Sequence, residues 1–177
     1  MPLRDDDRLR NQRLVFYKDD IERINQILLE FLKLSEAKCA VLIDKDGHQV
    51  TRVGNVGSYD MDTISALGAG SFAATKEMAR LLGEEEFSVL FHQGKRDNIQ
   101  LSIVGERALM AVIFDEQTTI GMVRLYASDS SARLTKVFQD IARRRAENPD
   151  EAPEGPGFEG DFDQSAKESL DNLFGEG

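Results

Sequence analysis

The chain has 177 residues, 41% apolar and 31% charged, with a net charge of −10. It contains no Trp, one Cys and two His, so counting alone excludes a disulfide framework, a Cys/His zinc cage and a multi-histidine metal site. No apolar run approaches the roughly 18–20 residues of a membrane helix, and residues 1–13 are too charged for a signal-peptide core, so the sequence reads as a cytoplasmic protein with no membrane partner.

Residues 1–15 are polar without a sustained apolar stripe and read as a flexible leader. From Asp19 the pattern changes. Ile21, Ile24, Leu28 and Phe31, with Ile27 and Leu32 alongside, recur at intervals of three and four, the spacing of one helix face. Asp19 and Asp20 suit the first turn of that helix as cap and against its dipole, and it is expected to run to about Leu34. Cys39 to Ile43 is a short apolar run, followed by a turn at Asp44 to Gly47 and a more polar strand through His48, Val50 and Val53. The pair predicts a hairpin.

A second helix is expected after Gly57, capped by Asp60 or Asp62, with Ile64, Leu67, Phe72, Met78, Leu81 and Leu82 as its larger apolar residues and Gly83 closing it. Three strand-like segments follow at Phe87–Gln93, Ile99–Val104 and Leu109–Phe114, with turns at Gly94–Asp97 and Gly105–Arg107 between them. From Thr119 the pattern is helical again through Val123, Tyr126, Leu134, Val137, Phe138 and Ile141. Arg143, Arg144 and Arg145 end it, favourably for the dipole.

The charge is unevenly distributed. Residues 146–177 carry ten acids against Lys167 alone, a net −9, which leaves −1 on everything before them. The body has no field of either sign to attract a polyanion, so nucleic-acid binding is not expected. Residues 146–163 read as a disordered acidic linker, because Pro, Gly and acids bury too little apolar surface to offset ordering entropy. Residues 164–177 regain amphipathic character, with Leu170, Leu173 and Phe174 on one side, and read as a docking motif. Between leader and linker, residues 16–145 form one α+β domain, a five-stranded antiparallel sheet with helices packed against it.

Few residues suggest chemistry. Gly68 to Ala73 matches G-x-G-x-x-A, but the fingerprint needs a strand feeding its first Gly, and here the glycines lie inside a helical pattern. What remains is a helix rich in small side chains: Ala66, Gly68, Ala69, Gly70, Ser71, Ala73 and Ala74. Each Gly costs about 1 kcal/mol relative to Ala within a helix, so the segment implies close approach, either to the sheet or to a partner on the other face. Asp44 to Gly47 has half of a calcium loop but lacks its Gly at position six and Glu at twelve. No nucleophile elbow is present. His48 and His92 show no carboxylate or Cys at ligand spacing, and Cys39 reads as a structural thiol. Neither a metal site nor an active site of its own is expected.

Residues 38–47 (KCAVLIDKDG), Leu67 to Gly70, Phe87 to Gly94 and Thr118 to Leu125, in that order, resemble the Roadblock/dynein light chain domain family, and within it the MglB-like branch that partners Ras-like GTPases of the MglA kind. The resemblance covers about Phe16 to Ala142 and extends to the terminal Leu170 to Phe174. It implies a Roadblock-type α/β/α sandwich that forms a homodimer. Its helices rich in Gly and Ala lie side by side as a platform, and one GTP-bound small GTPase sits there on two chains. Carried over along that helix, the GTPase contact falls on Ala66, Ala69, Gly70, Ala73, Ala74 and Glu77, with Phe72 left to the core. Arg23 and Arg124 match positions that keep a base and are candidates for electrostatic support. Leu170, Leu173 and Phe174 match a C-terminal segment that assists nucleotide exchange. The implied activity is GTPase activation in cell polarity and gliding motility, with no cofactor of the chain's own, GTP and Mg being carried by the partner. An adaptor that scaffolds a signalling or motor complex is the alternative.

Overall fold

The computed structural model describes residues 16–148. The leader at 1–15, the linker from Pro149 onward and the motif with Leu170, Leu173 and Phe174 lie outside the described residues. In chain order the elements are α1 (Lys18–Ser35), β1 (Cys39–Asp44), β2 (Gln49–Gly54), α2 (Met61–Leu82), β3 (Val89–Gln93), β4 (Asn98–Val104), β5 (Ala108–Phe114) and α3 (Ile120–Glu147). The element order matches expectation, with α3 running two residues into the stretch assigned to the linker.

The caps explain several of these boundaries. At the start of α1 the Asp20 carboxylate accepts the Tyr17 N–H at 3.0 Å, half of a capping box. Asp60 caps α2 by accepting the Thr63 N–H at 3.1 Å, and Gly83 closes it in the left-handed conformation at φ 76°, as its sequence position predicts. Thr119 caps α3, its hydroxyl accepting the Met122 N–H at 3.3 Å.

All strand pairs are antiparallel, in the order β2-β1-β5-β4-β3. The central strand β5 and its neighbour β1 are buried along almost their whole length, which is why they read as unbroken apolar runs and not as alternation. Their side chains still separate by face. Ala40 and Leu42 of β1, with Met110, Val112 and Phe114 of β5, enter the core beneath α1 and α3. Cys39, Val41 and Ile43, with Leu109, Ala111 and Ile113, meet Met61, Ala69 and Phe72 of α2. The result is an α/β/α sandwich with two helices on one face and one on the other.

Helices α1 and α3 run antiparallel, tied by Asp20–Arg144 at 2.6 Å, Arg23–Asp140 at 3.2 Å and Glu30–Arg133 at 2.7 Å. Asp20 is only 1% exposed, and the Arg144 guanidinium that meets it also lies over the Tyr17 ring, 4.8 Å from its centroid. Helix α2 alone takes the chain from the β2 edge of the sheet to the β3 edge. One helix cannot cover a five-stranded face, so Leu90, Ile99 and Ile103 remain only partly buried there.

A charge cluster pins the strand ends near the lead-in to α2. Lys38 Nζ lies 2.6 Å from Asp97 Oδ1 and 3.1 Å from Asp115 Oδ2, while the Tyr59 hydroxyl donates to Asp97 Oδ2 at 3.1 Å. The Lys38 bond holds the Asp97 carboxyl below its ordinary value. The Gln117 N–H and then Lys38 do the same for Asp115, and the two carboxylates together raise Lys38. A depressed carboxylate contributes stability that is present above its unfolded pKa, about 4, and lost as pH falls through the folded value; the raised lysine loses its contribution only above about pH 10. Thermal melts should therefore be flat across neutral pH and fall on acidification below about pH 4. Lys38→Met should lower the melting temperature at pH 7 and shrink the acid limb, and an unchanged acid limb would remove the cluster from that role.

Candidate functional site

The residues singled out on α2 separate by helix phase. Met61, Ser65, Ala69, Phe72, Thr75 and Ala79 are buried at intervals of three and four and face the sheet. Ala66, Gly70, Ala73, Ala74 and Glu77 are exposed on the outward side. Ala69 corrects the expectation: it is 8% exposed, packed in the core with Phe72, because it lies four residues after buried Ser65 and three before Phe72. The sequence left two readings of the small-residue segment open, and the structure divides its small residues between the sheet side and the exposed side of the helix. Gly68 faces Leu101, whose side chain would make ordinary contact at 3.4 Å with a Cβ added there, whereas a Cβ on Gly70 would meet nothing within 4 Å.

The larger apolar residues of α2 do not behave as core either. Phe72 is buried and Ile64 half-buried, but Leu67 is 66% exposed and Leu81 71%, with Met78 and Leu82 also exposed. Leu67, Ser71, Ala74, Met78 and Leu81 follow one another along the outward side at spacings of four and three, next to the row of Ala66, Gly70, Ala73 and Glu77. Monomeric domains seldom leave such a continuous apolar surface on one helix. Glu77 is engaged within the helix, both its carboxylate oxygens accepting from Arg80 Nε at 3.1 Å, and this pairing holds its carboxyl below the ordinary range.

The hairpin turn of β1 and β2 fixes the height of α2 above the sheet. Gly47 takes φ 90°, and a Cβ there would lie 3.0 Å from the Ala66 backbone, so both conformation and space require Gly. Gly47→Ala should cost about 1–2 kcal/mol from the left-handed conformation alone and shift the turn away from α2. Chemical denaturation reads the cost, and an unchanged midpoint would contradict it.

The structure does not bring Arg23 and Arg124 to the α2 surface. They stand on α1 and α3, the layer on the opposite face of the sheet, and Arg23 is paired with Asp140. Physically, their matched positions belong to helices that the sheet separates from α2. His92 is exposed, as expected of a surface strand residue. His48 is a correction: its Nδ1 lies 3.3 Å from Asp44 Oδ2, because the tight turn folds residue i+4 back onto the carboxylate. Asp44 Oδ1 also accepts the N–H groups of Asp46 and His48 at 2.9 and 2.8 Å, so this carboxylate closes the hairpin turn. Burial pushes the Cys39 thiol pKa up, consistent with a structural thiol.

This arrangement of layers and strands agrees with a sequence comparison in which the Roadblock/LC7 domain matches residues 23–114. The chain belongs to the Roadblock/LC7 family. Among solved structures, this Roadblock chain is similar to the gliding protein MglB of Thermus thermophilus, with 34% identity and a TM-score of 0.69 over 72% of this chain and 96% of that one. It is similar to Myxococcus xanthus MglB at 37% identity and a TM-score of 0.67, with the same coverage. An MglB in a tetrameric arrangement aligns at 32% identity and a TM-score of 0.69. A search of curated proteins gave no match. No described helix of this Roadblock chain is long and apolar enough to cross a membrane.

Proposed function

We propose that this Roadblock chain is a homodimeric activator of a bacterial Ras-like small GTPase of the MglA kind, serving cell polarity and gliding motility. The observation that carries the reading is the outward face of α2, where exposed Gly70, Ala73 and Ala74 stand beside exposed Leu67, Met78 and Leu81, and a Cβ added at Gly70 would meet nothing within 4 Å. Two such faces related by a two-fold axis bury the leucines against each other and present the small residues to one GTPase. The similarity to MglB structures supports this, including the tetrameric arrangement of one of them.

GTP hydrolysis needs an oriented water and positive charge near the transferred phosphoryl group. A small-residue platform supplies neither directly. It acts by holding the GTPase's mobile loops in their hydrolytic arrangement, so that the GTPase's own groups are preorganised and the gain equals the docked preference for that state. The chain is therefore a regulator without an active site of its own. Leu170, Leu173 and Phe174 are assigned to a separate contact that assists nucleotide exchange, on a tether that raises their local concentration towards millimolar.

One observation favours the adaptor reading. With Arg23 and Arg124 in the opposite layer and Arg80 bound to Glu77, α2 has no uncommitted arginine among the described residues to support charge at the phosphate. Single-turnover GTP hydrolysis separates the two. The activator accelerates hydrolysis by the Ras-like GTPase encoded in the same genome, whereas an adaptor binds it and leaves the rate unchanged. A chain ending at residue 146 should keep the acceleration and lose the exchange effect, and loss of both would rule out separate roles.

A further inference from the structure

The face of the sheet that α2 covers alone contains a groove of about 180 Å³ between the helix and the β4–β5 turn. Phe72, Ile103 and Leu109 give it an apolar floor, and Lys45, Lys76 and Arg107 stand around it. None of these three cations has a carboxylate within salt-bridge distance among the described residues. Glu106 is the one acid lining the same groove, which leaves a positive surplus. The two turns that form this end of the groove are joined, the Lys45 N–H donating to the Arg107 carbonyl at 3.1 Å. An apolar floor ringed by uncompensated cations suits an amphipathic acidic segment, with charge setting register and the apolar side chains supplying affinity.

The chain carries such a segment. Leu170, Leu173 and Phe174 repeat at helical spacing between Glu168, Asp171 and Glu176, at the end of the stretch with net −9. The fold also carries the C-terminal end of α3 to this end of the sheet. Thr135 and Phe138 of α3 lie 3.8 Å from where a Cβ on Gly105 would stand, directly before Glu106. Asn148, ten residues beyond Phe138, is thus about 15 Å further along the helix axis. Any flexible chain of 22 residues, the separation of Asn148 and Leu170 in the sequence, spans about 26 Å r.m.s., a length sufficient to reach around the sheet edge to the groove. At that tether length the segment's effective concentration is on the order of millimolar, so even weak docking is populated.

We propose that Leu170 to Phe174 dock in the groove between α2 and the β4–β5 turn of their own Roadblock domain, held by the apolar floor and by Lys45, Lys76 and Arg107. Ala73 also lines the groove, so the docked segment covers part of the outward α2 face, and a partner binding there displaces it. The inference does not depend on what that partner is.

Because the chain has no Trp, Phe174→Trp in the full chain gives a single reporter at the segment. Its emission should be shifted to the blue and shielded from acrylamide, relative to a peptide of residues 164–177 with the same substitution, and the shielding should not change on dilution. Lys45→Glu with Arg107→Glu, at two exposed positions, should return both readings to those of the peptide, with the far-UV circular dichroism of the reporter chain retained. Lys76→Glu alone should do so in part. Peptide-like emission in the reporter chain overturns the proposal, as does shielding that survives the charge reversals. Shielding lost on dilution assigns the docking to a second copy and overturns it equally.

Discussion

Ala73→Arg is expected to abolish the acceleration of GTP hydrolysis by the partner GTPase while leaving the fold intact. Ala73 is exposed at the centre of the outward α2 row, so an arginine there meets solvent in the free chain and obstructs whatever lies close to the helix backbone in the complex. A loss of tenfold or more in the single-turnover rate, equivalent to about 1.4 kcal/mol of transition-state stabilisation or more, is the expected reading, with melting temperature and dimer mass unchanged. Ala69→Arg makes the contrast. Its side chain enters the core beside Phe72, so activity falls through unfolding, and the melt moves with it. If Ala73→Arg retains full acceleration, the outward row is not the GTPase contact.

The largest stability effect is expected at Phe31. It is 1% exposed in the core beneath α1 and α3, among the largest fully buried side chains of the chain. Truncation to Ala removes its transfer free energy and leaves a cavity, about 3–5 kcal/mol together. For a domain of this size that is a fall in melting temperature on the order of 15 °C. Leu81→Ala, at a side chain 71% exposed, should barely change the melt of a dissociated chain. In the proposed dimer, where that leucine would be covered by the second copy, the melt of the variant should depend less on protein concentration than that of the wild type. Calorimetry at two concentrations reads both effects.

The fold was largely legible because its local signals agree with one another. Asp60 and Gly83 bracket α2 as N-cap and C-cap, and the positive φ of Gly47 marks the hairpin turn. Unbroken apolar runs at 39–43 and 109–114 belong to β1 and the central strand β5, both buried from both sides. Element order does not determine neighbour order, so the placement of β1 beside β5 follows only from the sheet itself. The site was legible in part. Composition identified a helix with too many small residues but could not assign phase, because Ala and Gly carry no amphipathic signal. Ala69 was therefore grouped with Ala66 and Gly70, although Ser65 and Phe72 fix it on the sheet side. Leu67, Met78 and Leu81 were legible as the larger apolar residues of the helix but not as exposed ones, since hydrophobicity alone does not say which side of a helix meets the sheet. Arg23 and Arg124 were matched by position along the chain, which gives no indication of the face of the sandwich on which a helix packs. The groove by Lys45 and Arg107 had no sequence signal, as its walls come from two turns and a helix far apart in the chain.

The most direct test is hydrogen exchange of the full chain with and without the Ras-like GTPase loaded with a non-hydrolysable GTP analogue. Protection gained across residues 66–77 of α2, saturating at two chains per GTPase, is the predicted result. Protection confined to α1 and α3, or saturation at one chain per GTPase with α2 unchanged, would contradict it.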